Sequence, residues 1–401
     1  MKRRGLCISR VLGVLLGGLL AAGIVSCRLG EGSGFNQIMA LKLDQSLCRS
    51  VEELEIPGAV MGVRAPNGST WYGACGSAAL PQQIADASGN GAAEGEPMAI
   101  DRFFRIASVT KTFTATIILQ LVDEGKLSLD DTIDGIIARW FAPGHLGFTI
   151  PYGETMTLRN ILEMRSGMVD SLATQEGATI FAGHPLEQVD PVEMLRWSAE
   201  SVDPAPYAPD TQFEYCNTNF ILQGIIIEQV TGNSYASEVN SRLLQPLGMH
   251  DTSLPDSPAM PEPFARGYLM ADGQVADLSL SMNPGWAWAA GGLISTIGDI
   301  LIWAKALEEG ELISPEAQQE RLQMKDGQIE TWPVSYGLGI YDDSGAVGHY
   351  GTFMGYYTSY CMRYRGYDIV VLENGELAQA GGSGRNPARS IFWNAVRDIS
   401  L

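Results

Sequence analysis

Residues 104–125 have the sequence FRIASVTKTFTATIILQLVDEG. Apolar residues recur every four positions from Phe113 to Leu121, and Gly125 stands where a helix would end. This pattern predicts a helix that begins near Ser108.

Ser108 and Lys111 lie three positions apart in this predicted helix and therefore share a face. A neutral lysine amine placed there can accept the serine hydroxyl proton, and free N–H groups at the helix start favour negative charge. The Ser-x-x-Lys pattern alone also fits a capping serine followed by a surface lysine. A Ser-His-Asp hydrolase of the G-x-S-x-G type is disfavoured, because the chain contains no such sequence.

Strand signals lie on both sides of a region dominated by helix signals. Near the N-terminus, residues 59–64 and 69–77 flank a turn signal and predict a hairpin. Near the C-terminus, the alternating pattern predicts further strands at 336–341, 347–353, 355–364 and 368–372, the last two joined by a turn at Arg365-Gly366.

Helix signals complete the outline of the chain. Helices are predicted over 35–51, 218–230 and 387–399, and Thr296 with Asp299 forms a capping-box pattern before another helix. The predicted fold class is α/β in the α+β sense, with an antiparallel sheet flanked by terminal helices.

The predicted domains follow from this order. Residues 35–107 and 286–401 form the α/β sheet domain, and residues 108–285 form an inserted, mainly helical domain. A cleft between the two is the default location for a functional site.

Composition excludes several classes of function. The 401 residues include 26 Lys and Arg against 46 Asp and Glu, a net charge of −20, which disfavours nucleic-acid binding. Four His and six Cys without a C-x-x-C pattern give little support for a zinc site. We therefore expect a globular enzyme without a metal or cofactor.

The N-terminus predicts export. Four basic residues among the first ten precede an apolar stretch at 11–25, which has the length of a secretory signal. The residues that end in Cys27 resemble a bacterial lipobox, which predicts a signal peptide at 1–26, acylation of Cys27 and a tether at 27–34. An ordinary cysteine after a simple cleavage site is the alternative. Arg28 favours the outer membrane, facing the periplasm, if the cell is Gram-negative.

Four further cysteines would lie in an oxidising compartment. Cys48, Cys75, Cys216 and Cys361 allow three full disulfide pairings. The sequence does not choose among them.

Two more motifs follow Ser108-x-x-Lys111 along the chain. They are Tyr215-Cys216-Asn217 before a predicted helix and His349-Tyr350-Gly351-Thr352 on a predicted strand. In this order and spacing, the three motifs resemble the serine β-lactamase/penicillin-binding protein family, in the branch of class C β-lactamases, D,D-carboxypeptidases and related esterases. The resemblance covers roughly residues 35–400 and includes flanking sequences at 104–107, 158–168, 246–249, 290–295 and 336–339.

The resemblance implies a role for each motif residue. Ser108 would be the acylated nucleophile, and Lys111 a proton acceptor beside Tyr215, the general base or proton shuttle. Asn217 would orient the substrate amide, and the N–H groups of Ser108 and Thr352 would form the oxyanion hole. The alternative for Tyr215 and Asn217 is a helix-capping turn with a buried tyrosine.

The third motif departs from the commoner Lys-Thr-Gly. His349 replaces the lysine and is expected to supply positive charge to a substrate carboxylate below its pKa, which is normally near 6.5. A neutral core histidine is the alternative. Tyr350 stands where relatives have Thr or Ser, so Gly351 and Thr352 are the other expected substrate-binding residues.

These features predict a cell-envelope serine acyl hydrolase that works through an acyl-enzyme, in the manner of a D-alanyl-D-alanine carboxypeptidase. A class C-like β-lactamase and a small-ester esterase are the enzymatic alternatives, and a penicillin-binding sensor is the non-enzymatic one. The expected partners are a small-molecule or peptide substrate and, through the lipid anchor, a membrane.

Overall fold

The computed structural model describes residues 35–81, 95–271, 274–329, 332–377 and 386–399. The predicted signal peptide, Cys27 and the tether lie outside these residues.

The described strands cluster near the two ends of the chain. In order, β1 to β14 are Gly58–Arg64, Thr70–Ala79, Glu96–Pro97, Phe104–Arg105, Tyr268–Ala271, Gln274–Asp277, Ile294–Ser295, Lys325–Ile329, Trp332–Tyr336, Tyr341–Asp343, Ala346–Phe353, Tyr357–Tyr364, Tyr367–Glu373 and Gly375–Glu376.

The central layer is an antiparallel sheet of nine described strands in the order β3-β2-β1-β13-β12-β11-β10-β9-β8. Because β1 pairs with both β2 and β13, the N-terminal hairpin and the C-terminal strands form one sheet. This arrangement confirms the predicted fold class.

The described α-helices fill the middle of the chain and both of its ends. In order, α1 to α13 are Gln37–Glu53, Thr110–Asp123, Ile133–Trp140, Leu158–Leu162, Gln175–Gly183, Pro191–Ala199, Thr218–Thr231, Tyr235–Val239, Gln245–Leu247, Trp288–Gly291, Ile297–Glu309, Pro315–Arg321 and Pro387–Asp398. None of the described helices combines the length and apolar character needed to span a bilayer.

Helices cover both faces of the sheet. A Cβ atom at Gly62 would lie 3.2 Å from Ile297 of α11, whereas one at Gly73 would lie 3.4 Å from Leu47 of α1. Gly73 pairs with Met61 and therefore points to the opposite face from Gly62. The sheet is thus enclosed between α11 and α1, and α1 also packs against α13.

Two long helices form the core beside the sheet. α2 and α7 are buried along most of their length, as expected for helices inside a core, although α2 also buries several threonines and Lys111. α7 ends at Gly232, which adopts a left-handed conformation with φ of 75°. The helices predicted near Ser108 and over 218–230 are confirmed.

The predicted inserted domain, 108–285, contains α2 to α9 together with the short strands β5 and β6. Its exact boundaries stay a prediction.

One predicted strand is wrong. Residues 336–341 were expected to be continuous, but β9 ends at Tyr336 and β10 begins at Tyr341. The Gly337 N–H donates to the Ile340 carbonyl at 2.8 Å, and Gly339 has a φ of 72°. The alternating apolar residues are buried in a turn, whose left-handed glycine interrupts the strand.

The predicted capping box before α11 is only half formed. Thr296 accepts from the Asp299 N–H. The Asp299 carboxylate, however, accepts from the Asp251 N–H and the Thr252 hydroxyl, both at 2.8 Å. Asp299 therefore ties α11 to the preceding loop.

A disulfide joins Cys48 of α1 to Cys75 of β2, with a Cα–Cα distance of 5.3 Å. Cys216 and Cys361 are free and buried. The structure therefore selects one bond among the pairings that the sequence left open.

Candidate active site

Ser108 lies in a 3-10 turn, Ala107–Val109, directly before α2. Ala107 has a φ of +47°, a region in which an alanine is strained. Ile106, the residue before Ala107, is fixed by two hydrogen bonds. Its N–H donates to the Leu293 carbonyl, and its carbonyl accepts from the Ser359 hydroxyl. The nucleophile turn is thus fixed by the sheet and by the segment before β7.

Gly351 allows strand β11 to run against this turn. A Cβ atom at Gly351 would lie 2.5 Å from the Ile106 oxygen and 2.7 Å from the Ser108 nitrogen. Only glycine fits this close approach between two backbones. Thr352 follows with an exposed side chain, and the oxyanion hole predicted from the Ser108 and Thr352 N–H groups stays a prediction.

Lys111 occupies the centre of the site. Its side chain is completely buried, and its Nζ lies 3.0 Å from Ser108 Oγ, 2.7 Å from Asn217 Oδ1 and 2.7 Å from the Ala290 carbonyl. Nζ also lies 5.0 Å from the centre of the Tyr215 ring. The structure therefore brings together the four residues predicted for the reaction centre.

Burial makes Lys111 suitable as a base. Desolvation lowers the pKa of its amine to about 7, although the Asp170 carboxylate acts in the opposite direction. About half of the molecules would then carry a neutral amine at pH 7. The alternative interpretation, a surface lysine after a capping serine, is wrong.

Asn217 is held between Lys111 and an acid that the sequence analysis missed. Asp170 Oδ2 accepts from the Asn217 N–H at 2.7 Å and from its Nδ2 at 2.9 Å. Asn217 precedes α7, yet its side chain makes no capping hydrogen bond to the helix. Because Asp170 is 47 positions away in the sequence, no local pattern indicated this contact.

Tyr215 is half-buried at the edge of the site. Its ring lies over the Lys111 amine on one side and 6.2 Å from the His349 ring on the other, measured between ring centres. This position is compatible with a proton shuttle between the amine and a bound substrate.

His349 does not carry the charge expected from the sequence. Its side chain is 0% exposed. Nδ1 contacts the Tyr350 carbonyl and Nε2 lies 3.1 Å from the Tyr336 hydroxyl. Since a carbonyl only accepts, the proton is on Nδ1 and Nε2 accepts from Tyr336.

Burial, and then the nearby Lys111 charge, lower the pKa of His349 to about 3. The expectation of a cationic carboxylate-binding His349 is therefore wrong, and the alternative of a neutral core histidine is correct.

Tyr350 is buried next to two other aromatic rings. Its ring centre lies 6.1 Å from that of Trp332 and 6.2 Å from that of Tyr341, both edge-to-face. The Tyr350 side chain therefore packs against side chains of strands β9 and β10 in the same sheet.

Comparisons with known proteins agree with this geometry. The family model described as Beta-lactamase matches residues 43–373. Penicillin-binding protein 4 of Amycolatopsis lactamdurans is 27% identical over 310 residues, covering 71% of this chain and 75% of that protein. Esterase EstB of Burkholderia gladioli is 31% identical over 241 residues, covering 59% of this chain and 56% of the esterase. The chain spans about half the length of several other curated relatives that it matches.

A solved structure shares the fold over nearly its whole length. The D-amino acid amidase of Ochrobactrum anthropi SV3, complexed with D-phenylalanine, aligns with a TM-score of 0.74 and 25% identity. The alignment covers 90% of this chain and 99% of the amidase.

Proposed function

The chain belongs to the beta-lactamase family of serine hydrolases, and we propose that it hydrolyses amide and ester bonds through an acyl-enzyme on Ser108. One observation carries this proposal: a buried lysine amine with a pKa of about 7 lies 3.0 Å from the serine oxygen. A neutral amine at hydrogen-bond distance is the arrangement that general-base activation of a serine requires.

The proposed reaction has two halves. The neutral Lys111 amine takes the Ser108 proton while Oγ forms a bond to the substrate carbonyl carbon. Tyr215 gives its proton to the leaving group as the carbonyl–leaving-group bond breaks, and recovers a proton from the Lys111 ammonium. Water then attacks the acyl carbon of the acyl-enzyme. Its proton passes through the same groups to Ser108 Oγ as the bond between the acyl carbon and Oγ breaks, and the free acid leaves.

We propose D-configured amides and peptides as the substrates, including D-alanyl-D-alanine peptides. The resemblance to a penicillin-binding protein and to a D-amino acid amidase supports this class. Since His349 is neutral, we infer that a free carboxylate on the leaving group is not needed. A D-aminoacyl amide should therefore be cleaved as readily as a D,D-dipeptide tail, which is broader than the carboxypeptidase activity predicted from the sequence.

A small-ester esterase is the second candidate. It is favoured by the 31% identity to esterase EstB. The chemistry at Ser108 would be the same, and only the acyl donor would differ.

The test is a parallel assay of four substrates: a D-Ala-D-Ala peptide, D-alanine amide, a p-nitrophenyl ester and nitrocefin. We expect turnover of the first two, with kcat/KM values within about tenfold of each other, and no turnover by Ser108→Ala. Neither the 3-10 turn Ala107–Val109 nor α2 is capped by a side chain, so the loss of the Ser108 hydroxyl should leave the variant folded.

Intact-mass spectrometry identifies the acylated residue. An adduct that persists in Ser108→Ala would contradict the assignment of the nucleophile. Turnover of the ester alone would favour the esterase, and turnover of nitrocefin alone would favour a β-lactamase. A stable adduct with penicillin, without turnover of any substrate, would favour the sensor.

We also propose that the protein is exported and anchored in the cell envelope through a lipid on Cys27. The lipobox-like sequence supports this, and the Cys48–Cys75 disulfide supports an oxidising compartment. Cells that produce the full chain should retain it in the membrane fraction, whereas Cys27→Ser should move it to the soluble fraction. Equal distribution of both proteins would contradict the anchor.

A further inference from the structure

The Asp170 carboxylate determines which way the Asn217 amide faces. Its Oδ2 atom accepts from the backbone N–H of Asn217 at 2.7 Å and from Nδ2 at 2.9 Å. A carboxylate only accepts hydrogen bonds, so the NH₂ end of the amide must point towards Asp170. The oxygen end, Oδ1, is therefore the end that faces Lys111 Nζ at 2.7 Å.

This orientation limits how the Lys111 amine can use its hydrogens. Asn217 Oδ1 and the Ala290 carbonyl are both acceptors, each 2.7 Å from Nζ. A neutral amine has two N–H groups and one lone pair. When both N–H groups are donated to these oxygens, the lone pair is left for the third neighbour, Ser108 Oγ at 3.0 Å.

We propose that Asp170 is a positioning residue that directs the Lys111 lone pair at the Ser108 hydroxyl, by fixing the amide of Asn217. This inference rests on the proposed function, because it concerns the same proton transfer. If Asn217 turned over, its NH₂ group would face Lys111 and take up the lone pair that must receive the serine proton.

Asp170 also acts on Lys111 through charge. In the part of the chain that the structure describes, four titratable groups face the amine or interact with it: Asp170, Tyr215, Cys216 and His349. Burial raises the pKa of the Cys216 thiol to about 12 and lowers that of His349 to about 3, so both are neutral at pH 7. The Asp170 carboxylate is therefore the negative charge that raises the pKa of Lys111 against the larger effect of burial.

The neutral amine is the active form, so activity rises with pH through the pKa of Lys111. A neutral residue at position 170 removes an attraction that stabilises the ammonium. The pKa should fall, and the rise in activity should occur at a lower pH than in the wild type.

Two substitutions separate charge from orientation. Asp170→Asn keeps an oxygen that can accept from both Asn217 donors but removes the charge. Asp170→Ala removes both the charge and the acceptor. Asp170 also caps the 3-10 turn Ser171–Ala173 through the Leu172 N–H at 3.1 Å.

Loss of that cap needs a matched control. Asp190→Ala removes the aspartate that caps α6 through the Val192 N–H at 2.9 Å, and it touches none of the site residues named above.

The experiment measures the burst of p-nitrophenol released as the full-length protein is acylated, between pH 5 and pH 9. We expect Asp170→Asn to move the acid limb down by about half a pH unit or more while keeping most of the plateau rate. Asp170→Ala should lose roughly 10- to 100-fold in acylation rate. Asp190→Ala should match the wild type in rate and in the position of the limb.

An acylation rate for Asp170→Ala within threefold of that for Asp190→Ala would overturn the positioning role of Asp170. An unchanged acid limb in Asp170→Asn would contradict the separate effect of the Asp170 charge on Lys111. If Asp170→Ala does not fold, the nearly isosteric Asp170→Leu, which also lacks an acceptor, takes its place in the rate comparison. A wild-type protein that never acylates Ser108 would overturn the proposed function itself, and this result is seen before any variant is compared.

Discussion

Lys111 and His349 are two bases buried beside the same tyrosine, and burial has a different outcome for each. Desolvation lowers both pKa values, to about 7 for Lys111 and to about 3 for His349. The ordinary pKa of lysine is high, so the lowered pKa of Lys111 falls in the range where a base is useful at neutral pH. The ordinary pKa of histidine is already near neutral, so the lowered pKa of His349 falls below that range and the side chain serves as a neutral hydrogen-bonding group.

Replacing the Tyr215 hydroxyl should slow the chemical step. We expect Tyr215→Phe to lower the acylation rate by roughly 10²-fold or more, because general acid–base catalysis contributes about 10²–10⁴, with KM changed only a few-fold. Tyr207→Phe is the matched control, since Tyr207 is also half-buried and its hydroxyl donates to Glu214 at 2.9 Å. A Tyr215→Phe rate within threefold of the control would mean that Tyr215 only packs.

The neutral state of His349 should make the fold sensitive to acid. The unfolded chain takes up a proton on this residue below pH 6.5, whereas the folded chain resists it down to about pH 3. The free energy of unfolding should therefore fall as the pH decreases through this window, by at most about 1.4 kcal/mol per unit from this residue.

Urea unfolding at pH 7, 6 and 5 checks this expectation. His349→Gln cannot titrate, so its free energy of unfolding should fall less steeply than that of the wild type. Parallel slopes would show that His349 takes up a proton as readily in the folded protein as in the unfolded chain.

Strand β11 and the nucleophile turn form the main contact between elements at the site. We expect Gly351→Ala to lower activity at least about tenfold and to destabilise the fold by roughly 1–3 kcal/mol, because its Cβ would meet the Ile106 oxygen and the Ser108 nitrogen. Gly298→Ala in α11 is the control. A Cβ atom at Gly298 would meet only Thr296 Oγ1, at 3.9 Å. The free energy of unfolding should therefore stay unchanged or rise by up to about 1 kcal/mol. Equal behaviour of the two variants, in kcat/KM and in urea unfolding, would contradict this account.

Elements with a local signal could be predicted from the sequence. α7 ends at the glycine that the pattern indicated, and β12 and β13 turn at Arg365-Gly366, where both residues have positive φ. Residues 336–341 could not be predicted, because buried alternating residues look the same in a strand and in a turn. The contact of Asp170 and the neutral state of His349 depend on side chains that are distant in sequence, so no local pattern contains them.

The whole molecule is cross-linked at its N-terminal edge by the Cys48–Cys75 disulfide. The loop spans 27 residues, and the chain-entropy relation gives a stabilisation of about 3–4 kcal/mol. The double variant Cys48→Ser/Cys75→Ser should lose this amount in guanidinium unfolding and keep its kcat/KM at low temperature, since α1 and β2 lie outside the site. Wild-type protein unfolded with a reductant should give the same loss, and no effect of the reductant would contradict the bond.

The pairing of β1 with β13 has a consequence for how the protein is made. Because the ribosome synthesises the chain from its N-terminus, Arg64 of β1 cannot pair with Asp368 of β13 until most of the chain has been made. Pairings of this long range fold slowly. A nascent chain that stops before residue 346 already contains the serine, lysine, tyrosine and asparagine, yet it lacks the strand that presses against the nucleophile turn. A chain truncated before β11 should therefore be inactive, although it contains all four of these site residues.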